Sequence, residues 1–423
     1  MSGVAVTGVG LVTALGVGTE ETWAGLVAGR SGVGTISAYD PSSLHTQLAA
    51  EIGGFDATQF ADRRALRTMT RNDQLAVAAA TVAMRDAGLE KFEDGHHAGL
   101  FVGSSKEASD PVPVLEATLT ARNPDGSTDM RRLGENASSL FYPLFYVEGL
   151  QAASLFYISH AYGLMGANCY FAGGAESSAI AVGRAFRAIR RGEVDVALAG
   201  GWDDGSFWWN MVKYDTLGIL TERNDLGAGA CRPWNVDRDG AVLGEGGAFL
   251  VLESTEAARR RGATPYAEIT GFGSAYDTYR LITPDPEGRS LSRAIESALS
   301  EAGSSPAEIA YVAAHGSGTK LGDASEARAL QRVFGSNGGA ATGSVKPATG
   351  HLLGGAGALN AAVAALAIAR GAIPPTLNLQ SPDPAFKLDW VTGEARETEV
   401  GQAVAVARGL EGQNVALAMR AIP

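Results

Sequence analysis

Cysteine is scarce in this chain. Two residues, Cys169 and Cys231, stand among 423. Two thiols make neither a disulfide framework nor a zinc-ligand spacing, and a reducing cytoplasm suits such usage. Positive charge is also in short supply, with 34 Lys and Arg against 46 Asp and Glu and a net charge of −12. A general nucleic-acid or anionic-membrane binder needs basic surface, so neither partner is expected, although a local basic patch for an acidic protein remains open. No run of 18 apolar residues occurs, which predicts no membrane span. The opening "MSGVAVTGVGLVTALG" has no basic region before its apolar run and reads as strand and loop rather than a secretion signal.

What is present is apolar and glycine-rich: 45% hydrophobic residues and 55 glycines. That fits a large core with many tight turns. Short β-branched runs recur and most end in glycine: "VAVTGVG" (4–10), "AGLFVGSS" (98–105), "NCYFAGG" (168–174), "DVALAGG" (195–201), "GAFLVLES" (247–254), "YAEITGFGSA" (266–275), "IAYVAAHGSG" (309–318) and "VAVARGLEGQNVALAMRA" (404–421). Helical spacing predicts helices over 71–89, 177–192, 290–303 and 354–371. The alternation predicts an α/β fold with strands buried on both faces. The connector "TEAARRRGA" (255–263) suggests two similar halves, 1–255 and 256–423. Residues 104–150, dense in Pro, Asn, Asp and Gly, read as an irregular excursion carrying binding or interface surface.

Three glycine-framed sites could carry chemistry. "NCYFAGGAESS" (168–178) is a strand-to-helix elbow, where backbone N–H groups can hold an anion and a nucleophile is often placed. Its tip is Ala175. "AAHGSGTKLGDASEA" (313–327) places His315 just past a strand, and "GSVKPATGHLLGGAG" (343–357) places Lys346 and His351 before a Gly/Ala helix. Each histidine taken singly reads as a structural, hydrogen-bonded side chain. No HxxxH or CxxC spacing supports a metal.

Taken together, these stretches resemble the β-ketoacyl synthase family. Also similar are "LVAGRSGVGTISAYD", "LRTMTRNDQLAVAAATVAMRDAGL", "GRAFRAIRRGEVDVALAGG", "CRPWNVDRDGAVLGEGGAFLVLES" and "YAEITGFGSAYDTYRLITPDPEG", so the likeness runs along nearly the whole chain. It implies a thiolase-like fold, a duplicated α-β-α-β-α architecture of five layers. In that family a Cys accepts an acyl chain as a thioester. Two histidines bind a malonyl thioester and drive its decarboxylation, and the carbanion attacks the acyl group. The matching positions are Ala175 for the Cys, His315 and His351 for the histidines, and Lys346 for the family lysine. Ser317 and Thr319 match hydroxyls that contact a pantetheine arm, and Asp323 and Glu326 match acids that organise the histidine loop.

The chain departs from the pattern on the acyl side. Alanine offers no nucleophilic atom. Leu410 stands at the gate position of "ARGLEGQN" (407–414), where active synthases carry an aromatic, and Glu411 replaces a glycine. Arg280 and Ile282 replace a common His and Thr. Glu176 reads as a helix cap or interface group rather than a catalyst. "FAGGAESSA" and "VARGLEGQN" look most like the chain-length factor (KSβ) of type II polyketide synthases, with polyene or reduced chains as a fitting product class. The resemblance implies a heterodimer with an active ketosynthase (KSα). It implies an acyl carrier protein bringing phosphopantetheine, and no cofactor of the chain's own. Val112, Leu115, Leu140, Phe141 and Phe145 are candidates for the tunnel floor, and Arg63, Arg64, Arg67 and Arg71 for carrier docking. Two alternatives stay open: a malonyl decarboxylase using the histidine pair, and an active synthase whose Cys was changed to Ala for trapping.

Overall fold

The computed structural model describes residues 3–106, 110–336 and 339–422. Its frame is a run of strands built twice. In the first half the strands are β1 (Val4–Thr13), β2 (Ala98–Ser104), β3 (Asn168–Ala172), β4 (Val196–Asp204) and β5 (Leu243–Ser254). They lie side by side in the order β1-β5-β4-β2-β3. The first two pairings are antiparallel and the last two parallel. In the second half β6 (Ala267–Tyr276), β7 (Tyr311–Ala313), β8 (Ala341–Gly343), β9 (Gln402–Arg408) and β10 (Gln413–Arg420) repeat the pattern as β6-β10-β9-β7-β8. Their pairings carry the same signs in the same places. The two sets join where Val4–Val6 pair antiparallel with Ala267–Ile269. The duplication expected from the sequence is therefore written in the topology, though not in any evident sequence repeat.

Helices close both faces. In the first half they are α1 (Arg71–Asp86) and α2 (Ala175–Arg190), and in the second α3 (Arg289–Ala302), α4 (Lys320–Phe334) and α5 (Ala356–Arg370). Helix α1 packs on the outside of β1, β4 and β5, and α3 on the outside of β6 and β10. Helices α2 and α5 pack on each other between the two sets of strands, which completes five layers. All ten residues of β1 are buried, as a doubly covered strand requires.

The middle layer has little room. A Cβ on Gly357 would lie 2.2 Å from the Ala175 carbonyl oxygen, so the first turn of α5 meets the tip of α2 backbone to backbone. Only glycine permits that approach. The stretch Leu353–Arg370 is long and apolar enough to cross a bilayer, which the sequence reading did not anticipate. Here 83% of it is buried as the central helix of the core.

Three readings need correction. The excursion is helical rather than irregular, with helices at Val112–Thr120, Met130–Leu140 and Phe145–Glu148. Its breakers act as caps: Pro111 precedes the first helix, and the Asp129 side chain accepts the Arg131 and Arg132 N–H groups at the start of the second. Residues 107–109 of that excursion lie outside the described residues. Helix α4 and strand β8 were not anticipated. The single run at 404–421 is two strands, β9 and β10, joined by a tight loop.

Replacing Gly357 with Val is expected to lower unfolding stability by about 2 kcal/mol or more through overpacking, read as a drop in the denaturant midpoint.

Candidate active site

The carboxyl ends of β3, β7, β8 and β9 converge, and a cavity of about 420 Å³ opens among their loops. Ala175, His315, Ser317, Thr319, His351 and Leu410 all line it. Residues far apart in sequence are thus brought to one place.

Ala175 is the first residue of α2 and is buried. It follows Gly173 and Gly174, and no side-chain heteroatom stands at the tip. Neither cysteine borders the cavity. Cys231 is wholly buried, and burial pushes its thiol up to about 12. Cys169 lies half-buried on β3. Neither can stand in for a nucleophile at position 175.

The His315 loop is gripped from behind by two buried carboxylates of α4. Glu326 accepts the His315 N–H at 2.7 Å and the Gly316 N–H at 2.8 Å. Asp323 accepts the Ser317 and Gly318 N–H groups, each at 3.1 Å, and the Trp234 N–H at 2.9 Å. Trp234 holds a left-handed backbone with φ of 57°, costly for a bulky residue, so Asp323 fixes strain as well as the loop. Burial pushes the Asp323 carboxyl up to about 7. Lys346 donates from Nζ to the His315 carbonyl. Burial draws its ammonium down to about 8, and Glu326, Cys231 and Asp323 hold it up. Lys346 therefore sits beneath the loop and is absent from the cavity lining.

The two imidazoles meet edge to face, with ring centres 5.2 Å apart. His351 accepts the Leu353 N–H on Nδ1 at 3.0 Å, which leaves Nε2 as a donor. His315 Nδ1 has no hydrogen-bond partner among the described residues. Burial, then the Lys346 charge, holds both rings well below the usual histidine range. Neutral N–H groups of this kind can hold an oxygen on which negative charge develops. The Ser317 and Thr319 hydroxyls lie 2.9 Å apart nearby.

Several lining residues were not singled out as site residues: Tyr214, Asp239, Leu243, Asp277, Leu353 and Arg408. Arg408 follows the last apolar run, and its side chain ties Asn414, Gly322 and Ser325 together. Its place in "VARGLEGQN" was the available signal. Val112, Leu115, Leu140, Phe141 and Phe145 do not line this cavity. Val112 and Leu115 are exposed, while Phe145 is buried against Phe141 with ring centres 4.8 Å apart. Arg63, Arg64 and Arg67 are exposed, whereas Arg71 is committed to Glu245 at 2.8 Å.

The profile of the β-ketoacyl synthase N-terminal domain matches residues 1–258, and that of the C-terminal domain matches residues 266–380. This chain belongs to the β-ketoacyl synthase family. Relatives cover it end to end. A 3-oxoacyl-[acyl-carrier-protein] synthase 2 of Coxiella burnetii is 35% identical over 98% of both chains. A β-ketoacyl synthase structure from Burkholderia phymatum superposes with a TM-score of 0.89 at 34% identity, covering all of both chains. The ishigamide ketosynthase/chain length factor superposes at 0.87 with 31% identity, again over all of both chains. A type II PKS acyl-carrier protein in complex with its ketosynthase, bound to the hexaketide, superposes at 0.84 with 27% identity over the full length of both. These likenesses establish the synthase fold as a thiolase-like one.

The neutral histidines of this synthase-family site have a pH consequence. Their folded pKa values lie below the ordinary 6.5. The unfolded chain therefore binds more protons below that value, and stability is present above it and lost as pH falls. Denaturant midpoints should fall more steeply from pH 7.5 to 5 in the wild type than in a His315→Asn/His351→Asn variant.

Proposed function

We propose that this chain is the non-condensing member of a ketosynthase pair, a chain-length factor of a type II polyketide synthase acting on polyene or reduced chains. One observation carries the reading. The elbow that would bear the acyl-accepting thiol ends in Ala175, and no other thiol lines the cavity. An acyl thioester cannot form there. The neighbouring departures at Glu176, Leu410 and Glu411 argue against a single engineered replacement, which would leave its surroundings intact. Overall identity does not discriminate, since full-length synthases and the ketosynthase/chain length factor stand at similar levels.

Surface features support a pairing. Strand β3 ends the sheet, and among the described residues its outer edge is unpaired. Tyr146 and Leu150 of the excursion, and Phe156 of the helix that follows it, are each more than half exposed. An open strand edge and exposed apolar side chains are each features that fit a partner surface. The five excursion residues, Val112, Leu115, Leu140, Phe141 and Phe145, would then floor the partner's tunnel rather than their own. Longer chains would stop where added methylenes overfill the space. An acyl carrier protein would bring the phosphopantetheine arm, with the exposed Arg63, Arg64 and Arg67 offered to its acidic surface. The Ser317 and Thr319 hydroxyls, which line the cavity, would hold that arm.

Co-expression with ketosynthases from the same source, followed by native mass spectrometry, is expected to give a one-to-one heterodimer. A Tyr146→Glu/Leu150→Glu variant should dissociate it, and Phe141→Ala should lengthen the product. A soluble homodimer indifferent to every ketosynthase would sink the reading.

The intact histidine pair favours a second activity, decarboxylation of a malonyl thioester without condensation. Both imidazoles would hold the developing enolate oxygen, and Lys346 would fix the loop beneath them. Carbon dioxide should then be released from malonyl carrier protein by the chain alone. His315→Ala should reduce that release about 100-fold or more, as expected for loss of a donor to an oxyanion.

A further inference from the structure

Glu176 stands next to the missing nucleophile, and the residue is 2% exposed. Its Oε1 accepts the Gly174 N–H at 3.1 Å. Its Oε2 has no hydrogen-bond partner among the described residues. The carboxyl is pressed between two glycines. A Cβ on Gly173 would lie 2.3 Å from Oε1, and a Cβ on Gly409 would lie 2.5 Å from Oε2. The group thus fills the gap between the elbow and the β9–β10 loop, turned back onto the amino end of its own helix.

That helix end is where a thiolate at position 175 would find its stabilisation, from first-turn N–H groups and the helix dipole. We propose that the Glu176 carboxyl is a built-in occupant of the elbow's anion site, so that this chain is barred from acylation twice. The nucleophile is absent, and the field that would activate one is already engaged by the adjacent side chain. Gln413 contributes to the same arrangement. Its Oε1 is also without a partner, and it lies 2.7 Å from the same Gly409 point. The Glu176 carboxyl and the Gln413 amide thus face one gap. Burial, with Glu411 on the loop, pushes Glu176 up to about 7 in keeping with that geometry. Around the cavity the other titratable or charged groups are His315, His351, Arg408, Lys320, Tyr214, Asp277 and Asp239, with Lys346 beneath it.

This inference deepens the non-condensing reading and rests on it only for the vacancy at position 175. Its test needs neither a partner subunit nor a carrier protein, so either can fail without the other. Ala175→Cys is compared with Ala175→Cys/Glu176→Gln, which keeps the side-chain shape, and with Ala175→Cys/Glu176→Ala as a second uncharged form. Iodoacetamide alkylation at position 175 is followed from pH 6 to 9 by peptide mass, with Cys169 and Cys231 as internal references. With Glu176 in place the introduced thiol should titrate at or above the ordinary value of about 8.5. Either uncharged replacement should lower that apparent pKa by about one unit or more and speed alkylation at pH 7 about tenfold. Matching pH profiles in all three variants, or a lower apparent pKa in the single variant, would overturn the proposal.

Discussion

Where the Ala175 carbonyl meets Gly357, two helices from opposite halves of the chain touch backbone to backbone. The rest of the site hangs on that contact. It fixes the tip of α2, and with it the elbow, against the start of α5, and with it the His351 loop. Asp203 locks the same junction from the side, because its buried carboxylate accepts the Ser105 and Gly354 N–H groups. A duplicated fold needs some such meeting point, since each half supplies only part of the cavity wall. With the two helix tips fixed, His315 can be set by local means. Glu326 and Asp323 do this through main-chain amides, which every residue except proline supplies.

The site is divided in its chemistry. On one side stand two neutral imidazoles, an intact loop and a lysine that braces it. On the other stand a methyl group and a buried carboxyl. Keeping donors in a dry cavity is electrostatically demanding, as the depressed histidines and the raised Asp323 show. Those costs fall on the histidine side of the cavity.

Much of this was legible in the sequence, and for a physical reason. The elbow, the His315 loop and the His351 loop are framed by glycines that the backbone needs, so their positions show without an alignment. Long apolar runs gave β1, β2, β4 and β5 within a few residues. Strand β8 has three residues, too few for a periodic signal. Helix α4 starts inside a loop that reads as a site, "GTKLGD", and its helical character hid behind that. The excursion misled because Pro and Asp mark both loops and helix starts, and only the structure shows Pro111 and Asp129 serving as caps. The cavity wall drawn from Tyr214, Leu243 and Leu353 could not be read, since it is assembled by long-range packing alone. Glu176 was visible as a first-turn carboxylate, but its wedging against Gly409 depends on a loop more than 200 positions away.

The bilayer-like stretch Leu353–Arg370 has a consequence for how the chain comes to be folded. Helix α2 is synthesised early and packs on β2 and β4 of its own half, but the rest of its apolar surface is covered by α5, β9 and β10, far along the chain. During translation the first half must therefore wait with an uncovered layer, while an unusually apolar segment is still to emerge. Long-separation closures of this kind are slow, and they leave sticky intermediates in the interval. A chain truncated before residue 353 would hold an open hydrophobic seam, and the burden on chaperones should be greatest just before that segment arrives.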